Sequence, residues 1–482
     1  MRRVNDPGLS KQVSILRSLL RLDIRQLYAL RSAVRPGERS LIDFVYKVGA
    51  RIEKIGKRRR HFRLMACPPL TMWQLFLPKL GDSTSQRIHQ TYLQGLWRER
   101  GTIARIGLLL GVVLWSVPLH VAAIVWMTAI NGRAISRIHK KSVVRLMLEQ
   151  LQVGLRYNIL APWYFQFDLH DDHKRRRAGE YLHRSELKGG LYKLANRHLT
   201  HRKKNLLGDK SSFHDICIAA GLPTLTEIAI AQDGAVLNRS GSPVSLPFVD
   251  LFAKPVASRG GSGAQVWLYF GEESWQSATG ERLSASGLIE HFSRLSRTQA
   301  ILIQKRAVPH PTLSDLSNGA LPTARLLTIK GEVDWEPVVG LLRMAIGANR
   351  MVDNFHAGGI AANIDFSTGV LGRATDIGLT PDIGWVDVHP DTGGTITGRV
   401  LPYWAETLKL ASRAHSVFRE QVVAGWDIAI LAEGPVLVEG NAAADTDIHQ
   451  RVSGLPLGSG KFGEMFLPLL LKAIEVAGNG PW

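Results

Sequence analysis

The chain has 482 residues, a formal net charge of +19 and two cysteines, Cys67 and Cys217. At most one disulfide can form, which fits a reducing compartment and excludes a disulfide-stapled secreted scaffold, and the length allows two or three domains. The charge is regional: residues 1–210 hold 40 of the 60 Lys and Arg against 14 acids, a net of +26, while 211–482 carry a net of −7, so the basic total is no argument for nucleic acid and no such partner is expected.

The first half reads as helical and membrane-directed. The stretch 9–34 sets Arg17, Arg21 and Arg25 on one helical face and Val13, Leu16, Leu20, Ile24 and Leu27 on the opposing one. That is the pattern of a basic amphipathic helix, which lies on an anionic membrane surface or covers its own core. The first 30 residues show no apolar core and cleavage site of a signal peptide. "KRRRHFR" (57–63) has no interleaved aromatics for base stacking and reads as a solvent or headgroup patch.

Residues 106–130 contain no Asp, Glu, Lys or Arg, a stretch longer than the roughly 20 residues that cross a bilayer. Basic residues flank it on both sides, Arg98, Arg100 and Arg105 before it and Arg133, Arg137, Lys140, Lys141 and Arg145 after it. A single span would put one basic flank outside, against the positive-inside rule. Pro118 near the middle also disfavours one straight helix. Three placements stay open: a re-entrant or interfacial hairpin bending near 116–118, a true span, or a buried core helix. His120 is expected to pack against protein. The N-terminal part thus divides into a basic helical region (1–100), a hydrophobic segment (101–145) and a helical lead-in (146–208). In the lead-in, "DDHKRRR" (171–177) reads as a solvated or headgroup-facing loop.

From 209 to 482 the texture changes to short apolar strands, Gly-rich turns and longer helices, an α+β domain. "GDKSSFHDICIAAGLPT" (208–224) sets Lys210 at a loop before an amphipathic helix stopped by Gly221 and Pro223. "VDLFAKPVASRGGSGAQVWLY" (249–269) is strand, Gly-rich loop, strand, with Lys254 just ahead of the loop. A Walker loop needs a helix there. A glycine flap whose N–H groups donate to phosphate beside a lysine cation is the functional reading, and a plain Gly-rich hairpin is the bland one. "AILIQKRAVPHP" (300–311) ends a strand in a polar turn, and "LPTARLLTIKG" (321–331) carries Arg325 among strand residues. "DNFHAGGIAANID" (353–365) gathers Asn354, His356, Gly358 and Gly359 in a loop that cradles an oxyanion or simply turns tightly.

The last candidate is a hairpin. "WDIAIL" (426–431), a turn "AEGP", and "VLVEGN" (436–441) put Glu439 and Asn441 on one strand face. In the register that sets Asp427 opposite Glu439, three oxygen donors meet, a set suited to Mg²⁺ when phosphates complete the shell. The bland alternative is a solvated hairpin face.

Taken in order, "DK…F…GLPT", "FAKP…RGGSGA", "LIQ", "LPTARLLT", "NFHAGGIAANID", "HPDTGG", "GWDIAI" and "VEGN" resemble the ATP-grasp superfamily, and more narrowly the sugar-transfer-associated ATP-grasp proteins. The resemblance covers roughly 150–482 and is strongest over 209–450. It implies an ATP-grasp fold, two α+β subdomains clasping ATP. Lys210 and Lys254 would contact the ATP phosphates, with Arg259, Gly260, Gly261, Ser262 and Gly263 as the flap above them. Gln304, Lys305 and Ala307 would form the adenine hinge. Arg325 would meet the γ-phosphate or the phosphorylated intermediate, making Arg325 and Lys254 the catalytic pair. Asp427, Glu439 and Asn441 would hold Mg²⁺, and Asn354, His356, Gly358 and Gly359 would face substrate.

The implied activity is that of a membrane-associated, ATP- and Mg²⁺-dependent ligase at the cytoplasmic face of the inner (cell) membrane. It would activate a small carboxylate as an acyl phosphate for transfer to an amine or hydroxyl on a sugar, glycan or lipid-linked acceptor. No Ser-His-Asp or Cys-His set competes with that reading. Two alternatives remain: a phosphotransferase on the same fold, and a non-catalytic membrane scaffold.

Overall fold

The structure is a computed structural model that describes residues 68–76, 82–200, 206–208, 210–256, 263–347, 351–355, 358–380 and 383–478. The stretches 9–34 and 57–63, the flap residues 259–262 and His356 lie outside the described residues, as does the side chain of Lys210.

Two seven-stranded sheets, with every strand pair antiparallel, organise the chain from 227 onward. The first is built from β1 (Glu227–Gln232), β2 (Ala235–Leu237), β3 (Leu251–Pro255), β4 (Gln265–Gly271), β5 (Ser274–Ser277), β6 (Arg282–Ser284) and β7 (Ile301–Lys305), in the order β2-β1-β7-β3-β4-β5-β6. One face, with Ala229, Leu251, Ala253, Trp267, Ile301 and Ile303, packs on the helix Ala285–Ser296 through Leu288 and Phe292. Residues of the other parity, Lys254, Leu302 and Gln304, therefore point away from that core.

The second sheet has the order β12-β11-β10-β9-β8-β13-β14. Its strands are β8 (Thr323–Lys330), β9 (Trp335–Met344), β10 (Ile360–Ile364), β11 (Leu371–Thr375), β12 (Trp385–Val386), β13 (Val423–Leu431) and β14 (Gly434–Asn441). Strand β13 is buried along almost its whole length, as expected of a strand covered on both faces. One face, with Leu326, Leu342, Ala362 and Trp426, packs on the helix Trp404–Val417 and on Phe213. The fully buried Trp426 indole donates from Nε1 to Thr328 Oγ1 at 2.7 Å, so its single polar atom is satisfied. A side chain of that size, burying about 150–250 Å², contributes roughly 4–6 kcal/mol at 25 cal/mol per Å².

Helices close the opposite face, and they include the N-terminal part of the chain. Ile88 and Leu96 from the helix Thr84–Arg98, together with Leu187, Leu191 and Leu194, share one core with Leu327, Ile329 and Val423 of the sheet and with Phe466 and Leu470 of the helix Lys461–Ala477. The buried amide of Gln450 spans the two parts of the chain, accepting from Leu182 N and donating to Leu182 O, both at 2.9 Å. The core therefore runs across residue 208: the helical lead-in is part of the same packed unit. The run 171–177 is also drawn in. Asp172 pairs with Lys141 at 2.5 Å, Lys174 with Asp168 at 3.0 Å and Arg175 with Glu149 at 3.0 Å. The expected solvated or headgroup-facing loop is instead a short helix, Asp172–Arg176, whose charges also close the lead-in on itself.

The hydrophobic segment is one continuous helix, Thr102–His139. It does not turn back at 116–118. The missing N–H and the ring of Pro118 are accommodated by a widened π turn at Val112–Ser116. Its most apolar 18-residue window is only 22% buried against the described residues, so these do not make it a core helix. Ile103, Val113 and Leu114 are among the apolar side chains left exposed. His120 is packed as expected. It is buried beside Gln150 O, where Gly154 on the next helix leaves room that a Cβ would fill, at 2.1 Å from His120 Nε2.

Candidate functional site

The hairpin β13–β14 pairs Asp427 with Glu439 and Gly425 with Asn441, and β13–β8 pairs Asp427 with Arg325. Glu439, Asp427 and Arg325 thus form a row across three strands, with Asn441 two residues on from Glu439 and on the same face. The glycine between the two donors has a packing reason. A Cβ on Gly440 would lie 2.6 Å from Leu207 Cδ2 and 3.0 Å from both Phe213 and Trp426. "EGN" is therefore two polar residues facing the site around one that must be small to face the core.

Asp427 is clasped by two guanidiniums, Arg325 Nε at 2.7 Å from Oδ1 and Arg343 Nη2 at 3.1 Å from Oδ2. Arg343, on β9 opposite Thr323, also meets Asp353 at 3.2 Å and donates to Thr323 Oγ1 at 2.7 Å, and the Thr323 hydroxyl donates to Asp353. Burial works against the Arg343 charge, but Asp353 and Asp427 outweigh it and hold its pKa above the ordinary value. Burial raises the Asp353 carboxyl above its ordinary value, against the pull of Arg343. Two cations and two anions interlock here, so none is left as an uncompensated buried charge.

Beside this row, the loop after β14 and the helix Asp447–Ser453 bring further groups. Asp445 pairs with Arg184 at 2.9 Å and with Lys188 at 2.6 Å. Burial, followed by the neighbouring Asp445, pushes Asp447 up to about 6. His449 is 1% exposed, and both of its ring nitrogens lack a hydrogen-bond partner among the described residues. Burial, followed by repulsion from Arg325, lowers it to about 3, so the ring is neutral at any working pH and offers one donor and one acceptor. Arg184, Lys188, Arg343, Asp353, Asp445, Asp447 and His449 were all missed from sequence. "DTDIHQ" (445–450), three alanines after "EGN", is the available signal for three of them.

The turn at 353–359 reads differently once folded. Gly358 N donates to Phe355 O at 3.3 Å and Gly359 N to Asn354 O at 3.2 Å, so both N–H groups close the turn instead of presenting an oxyanion cradle. Gly359 is needed for close approach, since a Cβ there would lie 2.8 Å from Met344 O. What the turn delivers to the site is Asp353.

On the first sheet, Lys254 pairs with Leu302, and Gln304 pairs with both Phe252 and Glu227. Lys254, Gln304 and Glu227 consequently share the face opposite the sheet's core. Gln304 Oε1 and Glu227 Oε1 are buried acceptors with no partner among the described residues. Lys305 has the other parity and an exposed side chain, so only its backbone belongs with Gln304. The N–H groups of Lys305 and Arg306 are bonded to Thr226 O and Asp250 O, so neither is available to a ligand. Gly263, the last residue of the expected flap, has φ +78°, a conformation that favours glycine. The two sheets are tied by the segment 223–224: Leu437 N donates to Pro223 O at 2.8 Å and Thr224 Oγ1 to Leu437 O at 3.0 Å. The "GLPT" motif therefore docks on the hairpin that carries Glu439.

The oxygen set fits Mg²⁺. Each oxygen of Asp427 keeps a second lone pair beyond its arginine, Arg325 and Arg343 pair with Asp427 and no ion pair engages Glu439 among the described residues, and Asn441 Nδ2 is a buried donor without a partner among the described residues.

A family model described as sugar-transfer associated ATP-grasp matches residues 192–459. No curated protein matches the chain. Among solved structures, the L-amino acid ligase from Bacillus licheniformis is 13% identical over 55% of this chain and 47% of its own, with a TM-score of 0.30. The D-alanine–D-alanine ligase from Bacillus anthracis complexed with ATP is 12% identical over 57% of this chain and 69% of its own, with a TM-score of 0.32. The D-alanine–D-alanine ligase from Coxiella burnetii is 8% identical over 56% and 59%, with a TM-score of 0.30. The chain thus spans about half the length of the first of these ligases.

Proposed function

The chain belongs to the sugar-transfer associated ATP-grasp family, and from that premise we propose that it is a membrane-associated, ATP- and Mg²⁺-dependent ligase acting on a sugar, glycan or lipid-linked acceptor. The observation that carries the reading is the register that aligns Glu439, Asp427 and Arg325 across three strands, inside the matched region. A carboxylate oxygen of the acid attacks the γ-phosphorus of ATP, the bond to ADP breaks, and an acyl phosphate forms. The amine or hydroxyl of the acceptor then attacks the acyl carbon, phosphate leaves, and the acceptor's proton goes to solvent or to the departing phosphate.

Lys254, Arg325 and the flap N–H groups neutralise charge on the transferring phosphoryl group, so catalysis is positioning plus electrostatics. Asp427, Glu439 and Asn441 hold Mg²⁺, which supplies charge neutralisation on the polyphosphate. The Ala307 N–H and Gln304 meet the adenine edge. Buried and neutral beside Arg325, His449 orients the acid or the acceptor.

Membrane attachment rests on the helix Thr102–His139 and its uncovered apolar face. Leaving that surface in water costs about 25 cal/mol per Å², and the basic flanks favour anionic headgroups at the cytoplasmic face of the cell membrane. Incubation with ATP, Mg²⁺ and candidate acids, followed by hydroxylamine, tests the chemistry. A hydroxamate is expected, whereas a stable phosphorylated product would make the protein a phosphotransferase. High-pH carbonate should fail to extract the full chain from membranes, and extraction would sink the membrane half.

A further inference from the structure

Away from the strand row, three side chains of the helical part converge. His89 lies on the helix Thr84–Arg98, and His183 and Glu186 bracket the single helical turn Arg184–Glu186. One donor atom from each lies within 4.8 Å of the other two. His183 and Glu186 are 1% and 2% exposed. Each ring is anchored at its far nitrogen by a backbone carbonyl: His89 Nε2 donates to Gly179 O at 3.3 Å and His183 Nε2 to Tyr157 O at 2.8 Å. The proton on Nε2 leaves His183 Nδ1 a lone pair, and His89 Nδ1 gains one when it gives up the proton it shares with Glu186, as metal binding requires. His89 Nδ1 lies 2.7 Å from Glu186 Oε2, while His183 Nδ1 is buried with no partner among the described residues.

We propose that His89 Nδ1, His183 Nδ1 and a Glu186 carboxylate oxygen bind a divalent transition ion of the zinc class, with water in a fourth position. Two imidazoles and a carboxylate are an established donor set for such ions, and metal-bound histidines usually donate their other N–H to a carbonyl or carboxylate. An imidazolium–carboxylate pair between His89 and Glu186 explains only two of the three groups. It leaves the His183 lone pair buried and unsatisfied, at a cost of about 1–3 kcal/mol. A tetrahedral ion at about 2.0–2.1 Å from each ligand sets donors roughly 3.3 Å apart, so the 2.7 Å pair needs to open by only about 0.6 Å.

A surface cavity lies beside the cluster. Tyr157 and Gly179, whose carbonyls anchor the rings, line a surface cavity of about 510 Å³ together with Ser85 and Glu180. The ion would tie the helix Thr84–Arg98 to the segment from which Arg184 and Lys188 reach Asp445. It would thereby brace the wall of the candidate site without touching substrate.

The test uses the full-length protein in detergent, stripped by a chelator and titrated with Zn²⁺ or Co²⁺. One equivalent should bind, Co²⁺ should show the intense visible bands of a four-coordinate site, and the thermal midpoint lost on chelation should return with Zn²⁺ but not with Mg²⁺. His183→Ala and Glu186→Gln should each raise the Co²⁺ Kd by more than about 100-fold, while Glu439→Gln should keep the Co²⁺ spectrum. If the variants do not fold, the wild-type stoichiometry and spectrum decide alone. Absence of a bound equivalent, or unchanged binding in folded His183→Ala, overturns the site, and neither result bears on hydroxamate formation at the strand row.

Discussion

The two sheets hold their candidate groups in different ways. On the second sheet, Asp427, Arg325, Arg343 and Asp353 fix one another through ion pairs of 2.7 to 3.2 Å. On the first, Lys254 and Gln304 stand on the face away from the core, and Gln304 Oε1 is buried without a partner among the described residues. The proposed phosphoryl-transfer end is therefore held by charge pairs within the protein, as electrostatic preorganisation requires. The proposed nucleotide end rests on strand parity and backbone hydrogen bonds. Substitutions should separate accordingly: stability and turnover together within the interlocked set of the second sheet, affinity alone on the first.

The largest effect is expected at Asp427. Asp427→Asn removes the charge that two arginines share, so it should cost about 3–5 kcal/mol of unfolding free energy as well as nearly all turnover. Glu439→Gln should lose about 10²–10³-fold in kcat, the scale of one lost electrostatic contact, with an unfolding midpoint in denaturant close to wild type. Equal destabilisation by both substitutions would show that Glu439 belongs to the interlocked set, and the division within this row would fail.

Parity explains what could be read from the sequence. Glu439, Asn441 and Asp427 were legible because strand alternation and one guessed hairpin register suffice to align them, and Arg325 because its motif fell on a strand. Arg343 and Asp353 were not, since their partnership needs β9 to pair with β8 and the turn at 353–359 to close, contacts that no local pattern announces. Of the two readings the glycines of that turn allow, an oxyanion cradle or a tight turn, the fold takes the turn, which consumes their N–H groups. The lead-in was set apart from the catalytic domain because a helical period reveals an apolar face but not what covers it. The shared core of Leu187 and Leu191 with Ile329 and Phe466 joins the two parts. Pro118 suggested a bend by the same kind of local rule, and the π turn before it removed the need for one.

Asp447 should give the next largest effect, and it is pH-dependent. Burial beside Asp445 raises its carboxyl from 3.8 to about 6. Between those values the folded chain holds a proton that the unfolded chain has released, so stability falls as pH rises through that window and stays lowered above about 6. Two units correspond to roughly 3 kcal/mol. Asp447→Asn cannot ionise, so the variant should gain on wild type by up to that amount between pH 4 and pH 6, measured as the difference between paired denaturant titrations. A difference that stays constant with pH would mean that Asp447 ionises in the folded protein as it does in the unfolded chain.

Lys254→Met probes the first sheet and should have the smallest effect on the fold. Lys254 shares a face with Gln304, opposite the core formed by Ala253, Ile303 and Phe292. A methionine there leaves that core intact and removes one cation from the nucleotide side. A hydrogen bond to a charged group contributes about 1.5–3 kcal/mol, so the Kd for ATP, measured by calorimetry, should rise about 10- to 100-fold. Unfolding without ATP should shift by less than about 1.5 kcal/mol, within the ordinary range for a substitution outside a core. Two results would undo the contrast between the sheets. An unchanged Kd would take Lys254 out of the phosphate grip, and a loss of 3 kcal/mol or more without nucleotide would mean that the first sheet, like the second, is held together by the groups proposed to bind its ligand.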